Sequence, residues 1–202
     1  MRRIRLADLL ASRDELVALR GTLASGGVAA IPTETYYGLA VDPTSERGVA
    51  RVFEIKGRDD GKPLLVLFSD RGQLSGLSVD SNDPRLDPFF RLWPAPLTVV
   101  VPIRRAIAAS RGGATLAIRI PARQDVRDLL RAVGPLTGTS ANRSGEPPSN
   151  DPDEVEASLG EGIDVLVDGG RAPGGRPSTI VDATVEPPRV LRAGAFDWTS
   201  SR

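Results

Sequence analysis

Pro63-Leu64-Leu65-Val66-Leu67-Phe68 is a continuous apolar run, typical of a strand that is buried on both faces of a sheet. A helical pattern over 45–55 precedes it, with its apolar residues on one face. Further apolar runs and amphipathic segments follow along the chain, but strands and helices do not alternate strictly. This mixture favours an open, twisted, mixed α/β sheet with flanking helices over a Rossmann or TIM array.

The remaining elements follow from the periods of helices and strands. A helix begins after the capping box at Ser12, and further helices are predicted over 83–93, 124–133 and 153–159. Strands are predicted over 28–32, 39–41, 97–102, 115–121, 135–139, 164–168, 178–182 and 189–192. No linker divides the chain, so we expect a single domain over residues 1–202 with its core at about 13–195.

Composition narrows the chemistry. The chain has no Cys and no His, which excludes a thiol nucleophile, a Ser–His–Asp triad and zinc sites built on thiolates or imidazoles. Catalysis must rely on Lys, Arg, hydroxyl groups, carboxylates, backbone N–H groups or a metal held by oxygen. The formal net charge is zero and no apolar run is long enough for a membrane span, so we expect a cytoplasmic protein without a membrane partner.

The two lysines are unusual. Lys56 and Lys62 are the only lysines among 26 basic residues, and both follow the helix predicted over 45–55. A coding bias toward arginine explains why most of the basic residues are arginines. A lysine ammonium, however, is a compact point charge that the planar guanidinium does not replace. The pair therefore favours a functional loop after that helix.

Two other features allow two interpretations each. Arg119 lies within an apolar strand, and a buried arginine needs an anion, which is either a protein carboxylate or a ligand. Ser140-Ala141-Asn142 follows a predicted strand, where it either caps a turn or forms a polar cradle for a ligand. The Gly-rich segment 170–178 has Arg176 where a P-loop needs Lys and no helix after it, which favours an ordinary turn.

Several blocks, taken together and in order, resemble the YrdC-type domain family of threonylcarbamoyl-adenylate synthases. They are Ile31 to Leu39, Lys56-Gly57-Arg58, Lys62-Pro63-Leu64, Trp93 to Thr98, Ile118 to Pro121, Thr139 to Asn142, Pro177 to Asp182 and Leu191 to Gly194. The K-x-R motif and the S-x-N motif together are the signature of that family. The chain departs from it at Asp59, where Pro is common, at Ala95, where Gly is common, and at Leu67 or Phe68, where some members have His.

The resemblance implies a concave, ligand-binding face on the sheet and a nucleotidyltransferase activity. Members combine L-threonine, bicarbonate and ATP into threonylcarbamoyl-AMP and pyrophosphate, and the product is used to make threonylcarbamoyladenosine in tRNA. Mg²⁺ would accompany ATP, with no protein side chain assigned to the metal. The resemblance also allows contact with the threonylcarbamoyl-transferase complex and tRNA, and it leads us to expect no C-terminal extra domain of the longer synthases.

The resemblance also assigns residues by position. The catalytic set is Lys56, Arg58, Ser140 and Asn142. The ATP-binding set is Arg58, Lys62, Thr115, Asn142, Ser149 and Arg192, and the threonine-binding set is Thr35, Arg119, Ser140 and Ser178. The Pro- and Gly-containing segment 144–153 is predicted to be a lid over the nucleotide, with a plain surface connection as the alternative.

Two other functions remain open at this stage. The first is an RNA-binding module in which Arg104, Arg105 and Arg111 extend a basic face, although zero net charge and only 4% aromatic residues argue against it. The second is a related domain that performs carbamoyl transfer, or a paralogue of the synthases, which the Asp59 departure supports.

Overall fold

The computed structural model describes residues 1–57 and 61–198. The strands in these residues are β1 (Arg2–Arg5), β2 (Ala29–Ile31), β3 (Gly38–Ala40), β4 (Leu65–Leu67), β5 (Leu97–Pro102), β6 (Thr115–Arg119), β7 (Leu136–Thr137), β8 (Thr139–Ser140), β9 (Val165–Asp168), β10 (Thr179–Asp182) and β11 (Arg189–Arg192). The helices are α1 (Leu6–Ala11), α2 (Arg13–Ala24), α3 (Glu46–Lys56), α4 (Asp87–Leu92), α5 (Gln124–Val133) and α6 (Pro152–Leu159). Short 3₁₀ helices lie at Arg71–Leu77, Pro84–Leu86 and Ala108–Ser110. No helix among the described residues has both the length and the apolar character that a membrane span requires.

The mixed α/β class is confirmed, but the strands form two mixed sheets where the sequence predicted one. The first sheet has the order β1-β9-β2-β3-β8 and the second has the order β11-β10-β5-β6-β4-β7. Parallel and antiparallel pairs occur in both, for example β2 with β9 and β2 with β3 in the first sheet. The strand β1 at the amino terminus, which the sequence analysis did not predict, forms one edge of the first sheet.

The chain passes from the second sheet to the first at Gly138. The strand predicted over 135–139 is divided there into β7, which pairs with β4, and β8, which pairs with β3. A Cβ atom on Gly138 would lie 2.8 Å from Cγ of Leu67, so a larger residue could not pass this close to β4. The crossing places Ser140, two residues later, at the edge of the first sheet, where it pairs with Gly38 of β3.

The strand β2 in the first sheet is buried on both faces. Ala29 and Ile31 belong to an apolar cluster with residues of α1, α2 and α5, whereas Val28 and Ala30 belong to the larger core shared with the second sheet. Alternate residues of a strand point to opposite faces, so one short run supplies both clusters. This explains why the strand is apolar throughout.

Helix ends also place functional residues. The Ser45 side chain accepts a hydrogen bond from the N–H of Gly48 and so caps α3, and Gly57 ends the helix in the left-handed conformation with φ of 63°. Lys56 is therefore the last helical residue of α3, one residue beyond the predicted end. The helix predicted over 83–93 is shorter than expected: a 3₁₀ turn precedes α4, in a segment interrupted by Pro84 and Pro88.

Candidate active site

The Arg119 side chain lies on one face of the second sheet. Ala117 and Arg119 of β6 are paired with Leu65 and Leu67 of β4, so these four residues share that face. The Arg119 side chain is only 4% exposed. Burial lowers the pKa of the Arg119 guanidinium, and the nearby charge of Glu34 partly offsets that effect.

The anion beside Arg119 is a protein carboxylate. Oε1 of Glu34 lies 3.6 Å from Nη1 of Arg119, and the Glu34 side chain is 11% exposed. Neither oxygen of Glu34 has a hydrogen-bond partner among the described residues, and neither does Nε of Arg119. The two charges compensate each other in part, but both groups keep hydrogen-bonding capacity that a ligand could use.

A second arginine lies on the same face. Arg192 of the edge strand β11 donates to the backbone oxygen of Ser178 at 2.9 Å and to its hydroxyl at 3.3 Å. The buried hydroxyls of Ser178 and Thr98 are 3.0 Å apart. Burial and the charge of Arg119 lower the pKa of Arg192, which places two interacting cations near one pair of hydroxyls. We call Thr98, Arg119, Ser178 and Arg192 the arginine face; it is suited to a carboxylate or phosphate.

Lys56 is not in a loop, as the sequence analysis expected, but buried at the end of α3. Lys56 is only 3% exposed, and its Nζ donates to the backbone oxygens of Ser140, at 2.6 Å, and Asn142, at 3.0 Å. The backbone oxygen of Lys56 also accepts from the N–H of Ser144 at 2.8 Å. Lys56 therefore holds the segment 140–144, in addition to any part in chemistry.

The Ser140-Ala141-Asn142 segment has features of both a turn cap and a polar cradle for a ligand, the two interpretations that the sequence left open. Nδ2 of Asn142 donates to the backbone oxygens of Arg143 and Glu146, at 2.8 and 2.7 Å, which is a turn-capping arrangement. Oδ1 of Asn142, however, is buried without a hydrogen-bond partner in the described part of the chain. That oxygen remains available to a ligand.

The loop that carries Thr35 adjoins the Ser140–Asn142 segment. The N–H of Ala141 donates to the backbone oxygen of Tyr37 at 2.8 Å, so the loop adjoins the Ser140 segment. The N–H of Gly174 donates to the backbone oxygen of Thr35 at 2.7 Å, and the Thr35 hydroxyl lies 3.3 Å from that of Thr33. Thr35 is thus beside Glu34 on a loop that is fixed at both ends.

The predicted lid is attached at its carboxyl end. The backbone oxygen of Ser149 accepts from the N–H of Tyr37 at 3.0 Å, and the Ser149 hydroxyl donates to Glu154 of α6 at 2.5 Å. Asn150 exchanges two hydrogen bonds with the backbone of Ala172. Residues 143–148 are exposed, although Ser144 and Glu146 are hydrogen-bonded to Lys56 and Asn142, so the part that could move is shorter than the predicted 144–153.

The other predicted residues lie further apart. Thr115 begins β6, about 13 Å along the strand from Arg119, because each residue advances a strand by roughly 3.3 Å. Lys62 is exposed ahead of β4, and Arg58 lies outside the described residues, as does Asp59. The structure thus brings together Arg119, Ser178 and Arg192 in one group and Lys56, Ser140 and Asn142 in another, with the Thr35 loop beside the second group.

Two residues of this site were missed by sequence reasoning. Glu34 lies inside the quoted block 31–39, and its position directly after a buried strand was the available signal. Thr98 also lies within a quoted block, but nothing in the sequence predicted its contact with Ser178, because that contact depends on the pairing of β5 with β10.

The basic residues considered for RNA binding are partly engaged by the protein itself. Arg104 forms an ion pair with Asp80 at 2.7 Å. The guanidinium of Arg111 lies 4.6 Å from the ring centroid of Phe53. Of the three, Arg104 and Arg111 therefore contribute less to an extended basic face than the sequence suggested.

Comparisons with known proteins show the family to which the chain belongs. The family model Sua5/YciO/YrdC, described as telomere recombination, matches residues 21–194. A Pyrococcus abyssi protein named threonylcarbamoyl-AMP synthase is 34% identical over 179 residues, covering 87% of this chain and 53% of its own length. A Mycobacterium tuberculosis protein, named provisionally as the same enzyme, is 34% identical over 181 residues, covering 89% of this chain and 83% of its own length.

The similarity extends to a solved structure. The crystal structure of P. abyssi Sua5 complexed with L-threonine matches with a TM-score of 0.84 and 31% identity, covering 98% of this chain and 58% of that one. The chain therefore spans somewhat more than half the length of the P. abyssi protein, and most of the length of the mycobacterial relative.

Proposed function

The chain belongs to the Sua5/YciO/YrdC family, and from that premise we propose that it is a threonylcarbamoyl-AMP synthase. It combines L-threonine, bicarbonate and ATP into threonylcarbamoyl-AMP and releases pyrophosphate. Threonine reacts with bicarbonate to give a carbamate, and a carbamate oxygen attacks the α-phosphorus of ATP. The relatives that carry this name support the proposal.

The observation that carries the proposal is the buried pair of Arg119 and Glu34. An amino acid has a carboxylate and an ammonium on adjacent atoms, and the pair offers a cation and an anion 3.6 Å apart, each with unused hydrogen-bonding capacity. A guanidinium binds a carboxylate through two parallel hydrogen bonds. Arg119 therefore receives the threonine carboxylate, while Ser178, Ser140 and Thr35 contact the rest of the amino acid.

The second part of the site handles negative charge. The carbamate and the α-phosphate are both anions, so the reaction needs cations that hold them in line. Arg192 lies beside the threonine position and Lys62 precedes β4, so both serve the phosphates, together with Arg58. Asn142, Ser149 and Thr115 line the remainder of the nucleotide site, and Lys56 fixes the Ser140–Asn142 segment against it.

Mg²⁺ is expected to enter with ATP. Within residues 1–57 and 61–198, no three Asp or Glu side chains are grouped so that they could hold a metal ion. Phosphate oxygens and water are ligands that Mg²⁺ accepts readily, so the nucleotide itself would hold the ion. Bound in this way, the ion would neutralise phosphate charge while the protein positions the substrates.

The remaining partners follow from the product. Threonylcarbamoyl-AMP is a reactive mixed anhydride, so it has to be passed on to an enzyme that acylates tRNA adenosine. We therefore propose the threonylcarbamoyl-transferase complex and tRNA as partners, and the cytoplasm, where ATP and tRNA are found, as the location.

The proposal is tested by measuring pyrophosphate release from ATP and Mg²⁺. The complete mixture should release pyrophosphate, and omission of either threonine or bicarbonate should reduce the release to the background rate. Release that needs neither of the two would contradict the proposal. Exchange of threonine for serine provides a control for the methyl group.

A further inference from the structure

We propose that Glu34 is a catalytic residue, which binds the ammonium of threonine and removes one of its protons so that the amine can be carboxylated. The inference rests on the proposed function, because it concerns the threonine in that site. It gives Glu34 a chemical step beyond its ion pair with Arg119.

The Glu34 carboxylate is largely buried and lacks hydrogen-bond donors among the described residues. It is 11% exposed and it lies 3.6 Å from Arg119, yet neither of its oxygens accepts a hydrogen bond from any described residue. A buried carboxylate oxygen without a donor is costly, because the hydration it has lost is not replaced. A bound donor would remove that cost, and an ammonium is a donor of the matching charge.

The short distance between the nitrogen and the carboxyl carbon of threonine also points to Glu34. In an α-amino acid the nitrogen and the carboxyl carbon are bonded to the same Cα, so they lie about 2.5 Å apart. A carboxylate bound by the Arg119 guanidinium therefore brings its ammonium into the region next to that guanidinium. Glu34 is the carboxylate that occupies this region in the structure.

The carboxylation of threonine requires a group that accepts a proton from its ammonium. The threonine nitrogen can attack carbon only as the neutral amine, and at neutral pH the free amino acid is an ammonium. The chain has no His and no Cys, which are common proton acceptors near neutral pH. A carboxylate held beside the bound ammonium is a group that can accept the proton.

The proposed step balances as follows. Glu34 takes one proton from the ammonium, and the nitrogen lone pair then forms the bond to the bicarbonate carbon. The bond from that carbon to the bicarbonate hydroxyl breaks, and the hydroxyl leaves as water with the proton that Glu34 had taken. The nitrogen, which is then positively charged, loses its second proton to solvent and the carbamate remains.

Two cations interact with Glu34: Arg119 on β6 and Arg123, which precedes α5. Tyr37 is the titratable residue three positions later on the same loop, and its hydroxyl donates to the backbone oxygen of Gly170. The hydrogen bond to Asp125 is the main cause that raises the pKa of Arg123, and the charge of Glu34 adds to it. Burial raises the pKa of Tyr37 to about 12, so Tyr37 stays neutral over the pH range of the test.

The binding test compares threonine with (R)-3-hydroxybutyrate, which lacks only the amine. Calorimetric titration of the wild-type protein should show a preference for threonine, and Glu34→Gln should reduce that preference roughly tenfold or more. The affinity for 3-hydroxybutyrate should change much less. Equal loss of both ligands would overturn the proposal, because it would mean that Glu34 acts only as a structural partner of Arg119.

The kinetic test is a pH profile of pyrophosphate release at saturating substrates. Glu34→Gln should lower kcat about 100-fold at pH 7, and the loss should shrink as the pH rises and free threonine loses its proton in solution. Glu34→Asp keeps the carboxylate and should retain the wild-type shape of the profile at a reduced rate. A deficit in Glu34→Gln that does not change with pH would overturn the proposal, as would full activity.

Two controls separate the possible failures. Glu161→Gln changes an exposed carboxylate in the turn after α6 and should leave both tests unaffected. Thermal melting shows whether each variant is folded. If Glu34→Gln does not fold, Glu34→Asp is used in its place. A wild-type protein without threonine-dependent release would contradict the proposed function, whereas the comparison of the two ligands would still decide on the ammonium contact.

Discussion

The Lys56 ammonium donates a hydrogen bond of 2.6 Å to the backbone oxygen of Ser140, across 84 residues of sequence. This contact joins the end of α3 to the end of β8, and a second bond to the oxygen of Asn142 extends it. The two motifs are therefore joined in the structure, because the lysine of the K-x-R motif bonds directly to the S-x-N motif. The compact ammonium of Lys56 makes both bonds from one buried atom, whereas a planar guanidinium spreads its donors over a larger group.

Replacement of Lys56 by Ala should destabilise the fold as well as abolish activity. The variant leaves two carbonyl oxygens without their donor and removes a buried side chain, which should reduce the free energy of unfolding by roughly 2–4 kcal/mol. Urea unfolding measures this loss. Lys62→Ala, in an exposed position, should change the same quantity by only about 0.5 kcal/mol; an equally small effect at Lys56 would show that the two hydrogen bonds do not stabilise the fold.

Replacement of Arg119 by Gln should weaken threonine binding far more than ATP binding. Loss of a bidentate carboxylate contact costs roughly 2–4 kcal/mol, which corresponds to about 30- to 1000-fold in affinity. Separate titrations with threonine and ATP measure it, and the exposed Arg105→Gln is the matched control. Comparable losses for both ligands would show that Arg119 supports the fold and does not recognise threonine.

Ligands should protect the exposed part of the lid from trypsin. Arg143 is exposed and precedes the exposed residues 144–148, whereas Ser149 and Asn150 are held by Tyr37 and Ala172. Cleavage after Arg143 should slow when ATP, Mg²⁺ and threonine are added together, because closure over the nucleotide keeps water from the carbamate. Cleavage after Arg105 is the internal reference. If both sites are cut at unchanged rates, the segment is a surface connection.

Replacement of Arg3 by Gln should reduce stability at neutral pH more than in acid. Arg3 donates to Asp168, Asp153 and Glu156. Burial alone would raise the pKa of Asp168, but the N–H of Gly170 and the Arg3 guanidinium outweigh it and the pKa is lowered.

The sign of this pH dependence follows from the lowered pKa. A carboxylate with a lowered pKa in the folded state contributes stability above about pH 4, and that stability is lost as the pH falls through the folded value. The difference in melting temperature between wild type and Arg3→Gln should therefore be largest near pH 7 and shrink below pH 4. The exposed Arg20→Gln should show no such trend, and a difference that is constant with pH would exclude the ionic explanation.

Much of the fold could be predicted from local pattern. The cap at Ser12 and the helix over 124–133 were predicted as the structure has them, because caps and apolar spacing are properties of neighbouring residues. The division into two sheets was not predictable in this way. It depends on the close approach of Gly138 to Leu67, which are 71 residues apart and whose distance no local pattern encodes.

The site was predicted to a similar degree. The motifs identified Lys56, Ser140 and Arg119, but they assigned Lys56 to a loop, because the left-handed cap at Gly57 adds one residue to α3. The partner of Arg119 could not be deduced, since the contact with Glu34 joins β6 to a loop 85 residues earlier. Pairs of this kind are determined by sheet register and are visible only in the folded chain.

The most direct test of the account is identification of the product. The protein should be incubated with ATP, Mg²⁺, L-threonine and ¹³C-labelled bicarbonate, and the mixture should be analysed at once by mass spectrometry. We predict a compound with the mass of threonylcarbamoyl-AMP that contains the label and that is missing when threonine is omitted. ATP consumption without such a compound, or an adenylate that carries no label, would contradict the account.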